Sequence, residues 1–258
     1  AFFLSLWFHT VHTPIEAKAE DITYFKNKLS PEYHHQNETY AAMVKNVDDN
    51  VGRLLHRLDE LGISENTIVV FTSDNGGVIQ KYKDKVVTDN FPLREGKGSL
   101  YEGGIRIPTI IFYPKNPGKG QQIDIPISTI DYLPTAMEIA GIPNDLDNIE
   151  GESLLPLLKG EDAKSIENRA LYWHFPHYYY AVKPVSSIRE GSWKLLEYLE
   201  DGHIELYNLS DDLEEKHNLA DTEPLKTNAL LSKLRKWKTN VGAKGIRQNW
   251  ICSQICTR

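Results

Sequence analysis

The stretch IVVFTSDNGG, residues 68–77, joins a run of apolar residues to a polar, glycine-containing end. Its apolar residues are consecutive and do not alternate with polar ones, a pattern typical of a strand buried on both faces. Residues 40–61 before it carry apolar side chains at helical spacing, and Gly62 marks the end of that helix. A helix followed by such a strand predicts an α/β fold with a parallel or mixed sheet.

The polar end of this stretch predicts a metal site. Adjacent strand residues point to opposite faces, so Asp74 and Asn75 face one ligand only where the chain leaves the extended conformation. Gly76 and Gly77 allow that departure. Asp and Asn supply hard oxygen ligands, which suit Ca²⁺ or Mg²⁺. The alternative is an ordinary Asn-Gly turn.

Two other loops carry candidate functional side chains. REGKGSLYEGGIRIP, residues 94–108, places Lys97 between two glycines, where the backbone approaches a ligand closely and the ammonium donates to an anion. The alternative for Lys97 is a solvated lysine on a surface loop. HTVHTP, residues 9–14, offers His9 and His12 as donors or acids near neutral pH, with purely structural histidines as the alternative.

The rest of the chain continues the α/β pattern and then changes. An apolar run over residues 2–8 predicts a buried strand, 108–114 predicts a second, and 128–141 predicts a helix. Beyond about residue 165, strand patterns follow one another without helices, and EDG at 200–202 is a hairpin turn signal. This region predicts an antiparallel sheet closed by a helix over 224–239.

An aromatic segment, YWHFPHYYY at residues 172–180, contains His174 and His177. Aromatic side chains with histidines are suited to lining a carbohydrate-binding pocket, which makes both histidines candidate substrate ligands. A packed aromatic segment without a binding role is the alternative.

Composition narrows the partners. The 258 residues carry a net charge of -7 with basic residues spread among acidic ones, which gives no support for a nucleic-acid partner. No apolar run approaches the roughly 20 residues of a transmembrane helix, so no membrane partner is expected. The two cysteines, Cys252 and Cys256, give no support for a disulfide framework or a zinc-type cluster. The apolar first residues indicate a fragment of a larger domain.

Taken together and in order, several stretches resemble the sulfatase family of the alkaline-phosphatase-like superfamily. The stretches are FFLSLWFHTVHTP, YAAMVKNVDDNVGRLLHRLDELG, NTIVVFTSDNGG, GKGSLYEGGIRIP, STIDYLPTAMEIAGI, GESLLPLL and ELYNLSDDLEEKHNLA. The resemblance implies a partial alkaline-phosphatase-like sheet with flanking helices, followed by a small antiparallel sheet packed on a helix. It places the C-terminal part of the catalytic domain at 1–160, a small subdomain at 161–245 and an atypical tail at 246–258.

The same resemblance assigns roles to the candidate residues. Asp74 and Asn75 match metal ligands for one divalent cation, Ca²⁺ with Mg²⁺ as the alternative, Lys97 matches a sulfate contact, and His12 matches a histidine near the sulfate and the leaving oxygen. The family hydrolyses sulfate monoesters with a formylglycine nucleophile. The substrate expected for this sequence is a sulfated sugar, polysaccharide or aryl compound. Its members are periplasmic, secreted or lysosomal.

One departure from the family pattern is large. Formylglycine arises from a Cys/Ser-x-Pro-x-Arg motif, and no such motif occurs in this sequence. The nucleophile is therefore expected in a missing N-terminal part, the isolated chain is expected to lack turnover, and its unpartnered strands are expected to favour self-association. Two other functions stay open: phosphomonoester or phosphodiester hydrolysis, and a non-catalytic binding remnant.

Overall fold

A computed structural model describes residues 2–115, 120–143, 149–179 and 182–246. The chain divides into two compact units, Ala1–Lys115 and Asn116–Arg258. Most of the predicted 246–258 tail, including both cysteines, lies outside the described residues, and the predicted domain boundaries stay a prediction. Within the described part, no helix is both long and apolar enough to cross a membrane.

The first unit contains two helices that pack on each other, α1 over Ala19–Lys28 and α2 over Glu38–Glu60. The predicted helix over 40–61 is thereby confirmed, with its start two residues earlier. Asn37 precedes α2 and its side-chain oxygen accepts hydrogen bonds from the backbone N–H groups of Thr39 and Tyr40. Such a cap satisfies donors that the first helical turn leaves without partners.

The strand at the centre of the opening stretch is β1, Val69–Thr72. A short hairpin follows, with β2 at Lys81–Tyr82 and β3 at Lys85–Val86, then helix α3 at Glu102–Ile105 and strand β4 at Thr109–Phe112. The β1 and β4 strands form an antiparallel pair in the register Val69 to Phe112 and Thr72 to Thr109. The expected parallel pairing does not occur between the described strands, while the combination of helices and sheets is as expected.

Strand β1 is not buried on both faces, which corrects the expectation from its apolar run. Val70 is 43% exposed and Phe71 is also accessible to solvent. Both faces of a strand are buried only when helices or further strands cover them. Among the described residues, β4 is the one strand paired with β1.

The predicted strand over residues 2–8 is absent, which is a second correction. These residues have no regular secondary structure, and their side chains are exposed, with Trp7 at 90%. An apolar run becomes a strand only where another strand supplies the hydrogen-bonding ladder. Within residues 2–115 no strand pairs with this segment, so apolar composition alone did not produce one.

The second unit contains the predicted antiparallel sheet and its closing helix, both of which are confirmed. Short helices come first: α4 at Tyr132–Ile139, entered through a 3₁₀ turn at Thr129–Asp131, then α5 at Leu155–Lys159 and α6 at Lys164–Asn168. The strands are β5 at Ala170–Phe175, β6 at Val185–Glu190, β7 at Trp193–Tyr198 and β8 at Ile204–Asn208, in that order and all antiparallel. Helix α7, Pro224–Asn240, covers the sheet.

The core of the second unit lies between this sheet and α7. Its fully buried members are Ile188, Leu195 and Leu206 from three neighbouring strands and Leu230 and Leu234 from the helix. The two leucines of α7 lie four residues apart, on one face of the helix. Apolar residues on one sheet face and one helix face therefore meet in a closed core.

Candidate functional site

The loop after β1 carries the two predicted metal ligands. Since β1 ends at Thr72, Asp74 and Asn75 lie outside the extended segment, as the glycines after them allow. The Asp74 side chain is exposed and Asn75 is half-buried. The Asn75 amide donates to the Gly76 carbonyl at 2.8 Å, and the Ser73 hydroxyl donates to the Asn75 carbonyl at 3.1 Å. These local hydrogen bonds hold the loop in a turned conformation with the Asp74 carboxylate open to solvent.

The Lys97 loop docks directly on this loop. The backbone N–H of Lys97 donates to the Gly77 carbonyl at 3.0 Å. A Cβ atom at Gly96 would lie 2.3 Å from that same carbonyl oxygen, closer than any side chain tolerates. The glycine before Lys97 therefore permits the approach, and the backbone of Lys97 lies against the chain two residues beyond Asn75.

A third segment, at the start of α3, closes the arrangement. The Gly76 N–H donates to the Gly104 carbonyl at 2.9 Å, and the Gly103 N–H donates to the Arg94 carbonyl at 2.9 Å. A Cβ atom at Gly76 would lie 1.7 Å from the Gly103 carbonyl oxygen. Backbone hydrogen bonds between glycine-rich segments thus connect the 75–77, 94–97 and 103–104 segments. The sequence places glycines where these segments meet.

His12 lies in the exposed loop that follows residues 2–8. Its Nδ1 atom is 2.9 Å from the Thr13 carbonyl oxygen, and its ring centroid is 5.6 Å from that of His9. A carbonyl only accepts, so Nδ1 carries the proton and, in the neutral ring, Nε2 is the acceptor. His12 belongs to the same unit as Asp74, Asn75 and Lys97, but both of these contacts lie within its own loop.

A group of polar contacts between residues 35–40 and residues 86–88 was not identified from the sequence. Thr88 bonds His35 Nδ1 at 3.1 Å, and it is hydrogen-bonded to Tyr40, whose pKa is raised by burial. The Asn37 amide donates to the Val86 carbonyl at 2.9 Å. These contacts join the start of α2 to residues 86–88. Asn37 had a recognisable capping signal, but its second partner is a backbone carbonyl that no residue pattern reveals.

The two candidate histidines of the aromatic segment belong to the second unit. His174, in β5, has a partner at each ring nitrogen: Ser186 Oγ at 2.8 Å from Nδ1 and the Lys244 carbonyl at 2.7 Å from Nε2. The carbonyl only accepts, so Nε2 donates, and in the neutral ring Nδ1 accepts from the serine. His177 is exposed, with its ring edge-on to Phe175 at 5.5 Å. Substrate binding by either histidine stays a prediction.

Asp74 and Asn75 are the type of ligand that a hard cation prefers, but they are too few to complete a site. Asp74 and Asn75 present hard oxygen atoms in adjacent positions of one loop, which suits Ca²⁺ or Mg²⁺. Among the described residues, no group of three or more His, Cys, Asp or Glu side chains is placed to hold a metal ion. Ca²⁺ takes about 6–8 oxygen ligands, so two residues alone would not complete a cation site, and metal binding by Asp74 and Asn75 stays a prediction.

Two family models match the chain. The Sulfatase model matches residues 1–142, and the model for the C-terminal part of N-sulphoglucosamine sulphohydrolase matches residues 96–241. The first match contains the three segments of the candidate site and His12. Each of the two covers more than half of the chain.

Individual relatives agree with the family models. A sulfatase of Formosa agariphila is 35% identical and covers 92% of this chain and 46% of its own length. The crystal structure of Ps i-CgsB in complex with k-i-k-neocarrahexaose superposes with a TM-score of 0.74 at 30% identity, covering 88% of this chain and 48% of that one. A protein in complex with its substrate D-glucosamine-2-N,6-O-disulfate superposes with a TM-score of 0.63 at 28% identity, covering 78% and 40%.

The chain spans about half the length of the relatives it matches. The matched models and the 35% identity over nearly the whole chain nevertheless decide the classification. This chain belongs to the sulfatase family.

Proposed function

We propose that this chain forms part of a sulfuric ester hydrolase that acts on sulfate monoesters of a sulfated sugar or polysaccharide. The observation that carries the proposal is the docking of the Lys97 loop on the loop of Asp74 and Asn75 through the hydrogen bond from Lys97 N to Gly77 O. It brings the segment with hard oxygen ligands next to the segment with an ammonium donor. Together these suit an anionic group bound beside a divalent cation.

Each side chain has a role that its chemistry allows. Lys97 donates hydrogen bonds to sulfate oxygens, and Asp74 and Asn75 hold one divalent cation, Ca²⁺ with Mg²⁺ as the alternative. The cation, when bound, stabilises negative charge on the sulfate. His12 stands near the leaving oxygen, where an imidazolium donates a proton to the departing alcohol. A sulfated carbohydrate is favoured because two similar structures hold k-i-k-neocarrahexaose and D-glucosamine-2-N,6-O-disulfate.

The chain by itself is proposed to be inactive. Its sequence contains no Cys/Ser-x-Pro-x-Arg motif from which formylglycine is made, and two oxygen ligands make an incomplete cation site. The nucleophile is supplied by residues other than those of this sequence, and the cation site needs further ligands besides Asp74 and Asn75.

A binding experiment tests the site on the chain itself. Glucosamine 6-sulfate is titrated into ¹⁵N-labelled chain, with Ca²⁺ present, and the amide shifts of Gly76, Gly77 and Lys97 are followed. Glucosamine 6-phosphate and glucosamine serve as the competing ligands. The sulfate ester is expected to shift these amides, Lys97→Ala to abolish the response, and Lys81→Ala, which removes an exposed lysine of the same unit, to preserve it.

Three outcomes would count against the proposal. A stronger response to the phosphate ester would favour a phosphoester hydrolase of the same superfamily. No response of these amides to either ester would remove the role of the site. Turnover of p-nitrophenyl sulfate by purified chain, free of other sulfatases, would contradict the inactivity of the isolated chain.

A further inference from the structure

We propose that Asn90 is a positioning residue that fixes the Lys97 loop against the loop of Asp74 and Asn75. Its side-chain amide nitrogen donates to the Gly77 carbonyl at 3.0 Å and to the Glu95 carbonyl at 2.9 Å. The first carbonyl belongs to the loop that carries the candidate metal ligands, and the second lies two residues before Lys97. One side chain therefore ties the two loops to each other.

The two partners define which side chain works at this position. Both are backbone carbonyl oxygens, which only accept, so the group between them has to bring two N–H donors. A primary amide has both on one nitrogen. An aspartate of the same size has none, and it would place negative charge against two carbonyl oxygens. These two hydrogen bonds therefore require the side-chain amide of Asn90, and a side chain of the same volume without N–H donors would not form them.

The space around the amide is restricted on two sides. A Cβ atom at Gly77 would lie 2.7 Å from Asn90 Oδ1, and a Cβ atom at Gly96 would lie 2.7 Å from Asn90 Nδ2. Any side chain at either glycine would displace the amide or push the loops apart. The amide thus lies between two glycine backbones, one from each loop.

The turn that carries Asn90 is itself anchored. The Thr88 N–H donates to the Val78 carbonyl at 3.2 Å, the Phe91 N–H donates to the Asp89 carboxylate at 2.8 Å, and the Leu93 N–H donates to the Asn90 carbonyl at 2.8 Å. An anchored turn holds the amide in place with little freedom to lose on binding. Asn90 therefore acts as a fixed support for the two loops.

The consequence for function rests on the function proposed above. The Gly77 carbonyl accepts hydrogen bonds from both the Asn90 side chain and the Lys97 backbone N–H. This shared carbonyl fixes the position of the Lys97 backbone relative to Asp74 and Asn75. A misplacement of about 1 Å between groups that bind one substrate costs on the order of a hundredfold in rate. Asn90 controls that separation without touching the substrate.

The test uses the whole chain and two variants. Asn90→Asp keeps the shape and removes the donors, and Asn90→Ala removes the amide altogether. Asn50→Asp is the matched control, because the Asn50 amide also donates to a backbone carbonyl of the first unit, that of Asn46 at 2.7 Å, away from these loops. Amide hydrogen exchange at Lys97, Gly76 and Gly103 is measured, with the amides of α2, which lies in the same unit, as the folding control.

Both Asn90 variants are expected to accelerate exchange at Lys97 by about tenfold or more, because two hydrogen bonds are lost where the loops meet. Exchange at Lys97 in the control variant, and exchange of the α2 amides in both Asn90 variants, are expected to stay at the wild-type rates. Wild-type exchange at Lys97 in Asn90→Asp would overturn the proposal, since a space-filling role survives that substitution.

A second readout separates positioning from general support. Sodium sulfate is titrated and the Lys97 amide shift is followed in the wild type, Asn90→Asp and Asn90→Gln, the last retaining both donors on a longer side chain. The sulfate response is expected to be lost in Asn90→Asp and partly recovered in Asn90→Gln; an intact response in Asn90→Asp would overturn the positioning role. No response of the wild type to sulfate would refute the sulfate contact of Lys97. Whether Asn90 holds the two loops together is decided by the exchange rates alone.

Discussion

The β1–β4 pair of the first unit and the β5–β8 sheet of the second unit are both antiparallel, yet they are stabilised differently. The second sheet buries Ile188 and its neighbours completely under α7. On the first pair, Ile110 of β4 is 64% exposed and Phe112 is 42% exposed. The difference is a helix that covers one face, since a two-stranded pair alone has little stability in water. The candidate loops of the first unit therefore depend on their mutual hydrogen bonds more than on a core beneath the strands.

One buried ion pair of the second unit contrasts with an exposed ion pair of the first. In the second unit Asp131 is fully buried and bound by both terminal nitrogens of Arg169, at 2.6 and 2.5 Å. The Asp131 carboxylate also accepts backbone N–H groups of Ser128 at 2.7 Å and Glu152 at 3.0 Å. It thereby joins the entrance of α4 to residue 152. The salt bridge of Arg57 with Glu60 on α2, in the first unit, is exposed to solvent.

The largest effect is expected from Arg169→Ala. It leaves the Asp131 carboxylate buried without its cation, which costs about 3–5 kcal/mol of unfolding free energy. Urea unfolding followed by near-ultraviolet circular dichroism measures the loss. Arg57→Ala, the matched change in the first unit, is expected to cost less than about 1 kcal/mol because its pair is solvated. Equal losses for the two variants would contradict the division between the units.

Ile188→Ala and Ile110→Ala remove the same side chain from a strand in each unit. Ile188 is 0% exposed, so its truncation is expected to cost about 2–5 kcal/mol, and Ile110→Ala about 0.5 kcal/mol or less. Amide exchange of β6 and of β1 reports each unit separately. A large loss at Ile110 would show that its exposed side chain is covered in solution, as the predicted self-association of the chain requires.

Acid is expected to act on the contact of β7 with α7. Burial raises the pKa of Glu197, while hydrogen bonds from Lys238 at 2.7 Å and Arg235 at 2.8 Å lower it, and the net pKa lies below its usual range. The unfolded chain therefore binds a proton at higher pH than the folded one. This stability is complete above the ordinary pKa of about 4.3 and is lost as pH falls through the lower folded value.

Glu197→Gln is the variant that tests this acid sensitivity. The exchange-derived stability of the second unit is expected to depend less on pH below about pH 5 in Glu197→Gln than in the wild type. Glu60→Gln, which removes an exposed carboxylate of α2, is expected to leave that dependence unchanged. An identical acid profile in the wild type and Glu197→Gln would assign the sensitivity to another group.

The sequence predicted the elements that depend mainly on neighbouring residues of the chain. Helical spacing located α2, and the turn signal EDG together with flanking strand patterns located the β7–β8 hairpin and the sheet around it. The strand predicted over residues 2–8 was wrong because a strand requires a neighbouring strand to pair with, which composition does not specify. The approach of the Lys97 loop to Gly77 was not predictable in detail either, since backbone carbonyls make the contacts and every residue has one.

A smaller effect than that of the buried residues is expected from the caps of the two long helices, where the comparison between the units is reversed. Asn37 caps α2 with its side-chain oxygen, and Asn37→Ala is expected to cost about 1 kcal/mol. Glu223 precedes α7 and makes no capping hydrogen bond, so Glu223→Ala is expected to change stability little. Exchange of the Thr39 and Tyr40 amides, compared with that of the first turn of α7, measures both.

Asn37→Asp separates the two contacts of this side chain. The carboxylate still accepts from the first turn of α2, but the donor to the Val86 carbonyl is lost. Unchanged exchange at Tyr40 with faster exchange at Val87 and Thr88 would show that Asn37 supports the loops of the candidate site in addition to the helix. Faster exchange confined to Thr39 and Tyr40 would limit its role to the cap, and the stability of the loops would then depend on Asn90 and the glycine contacts.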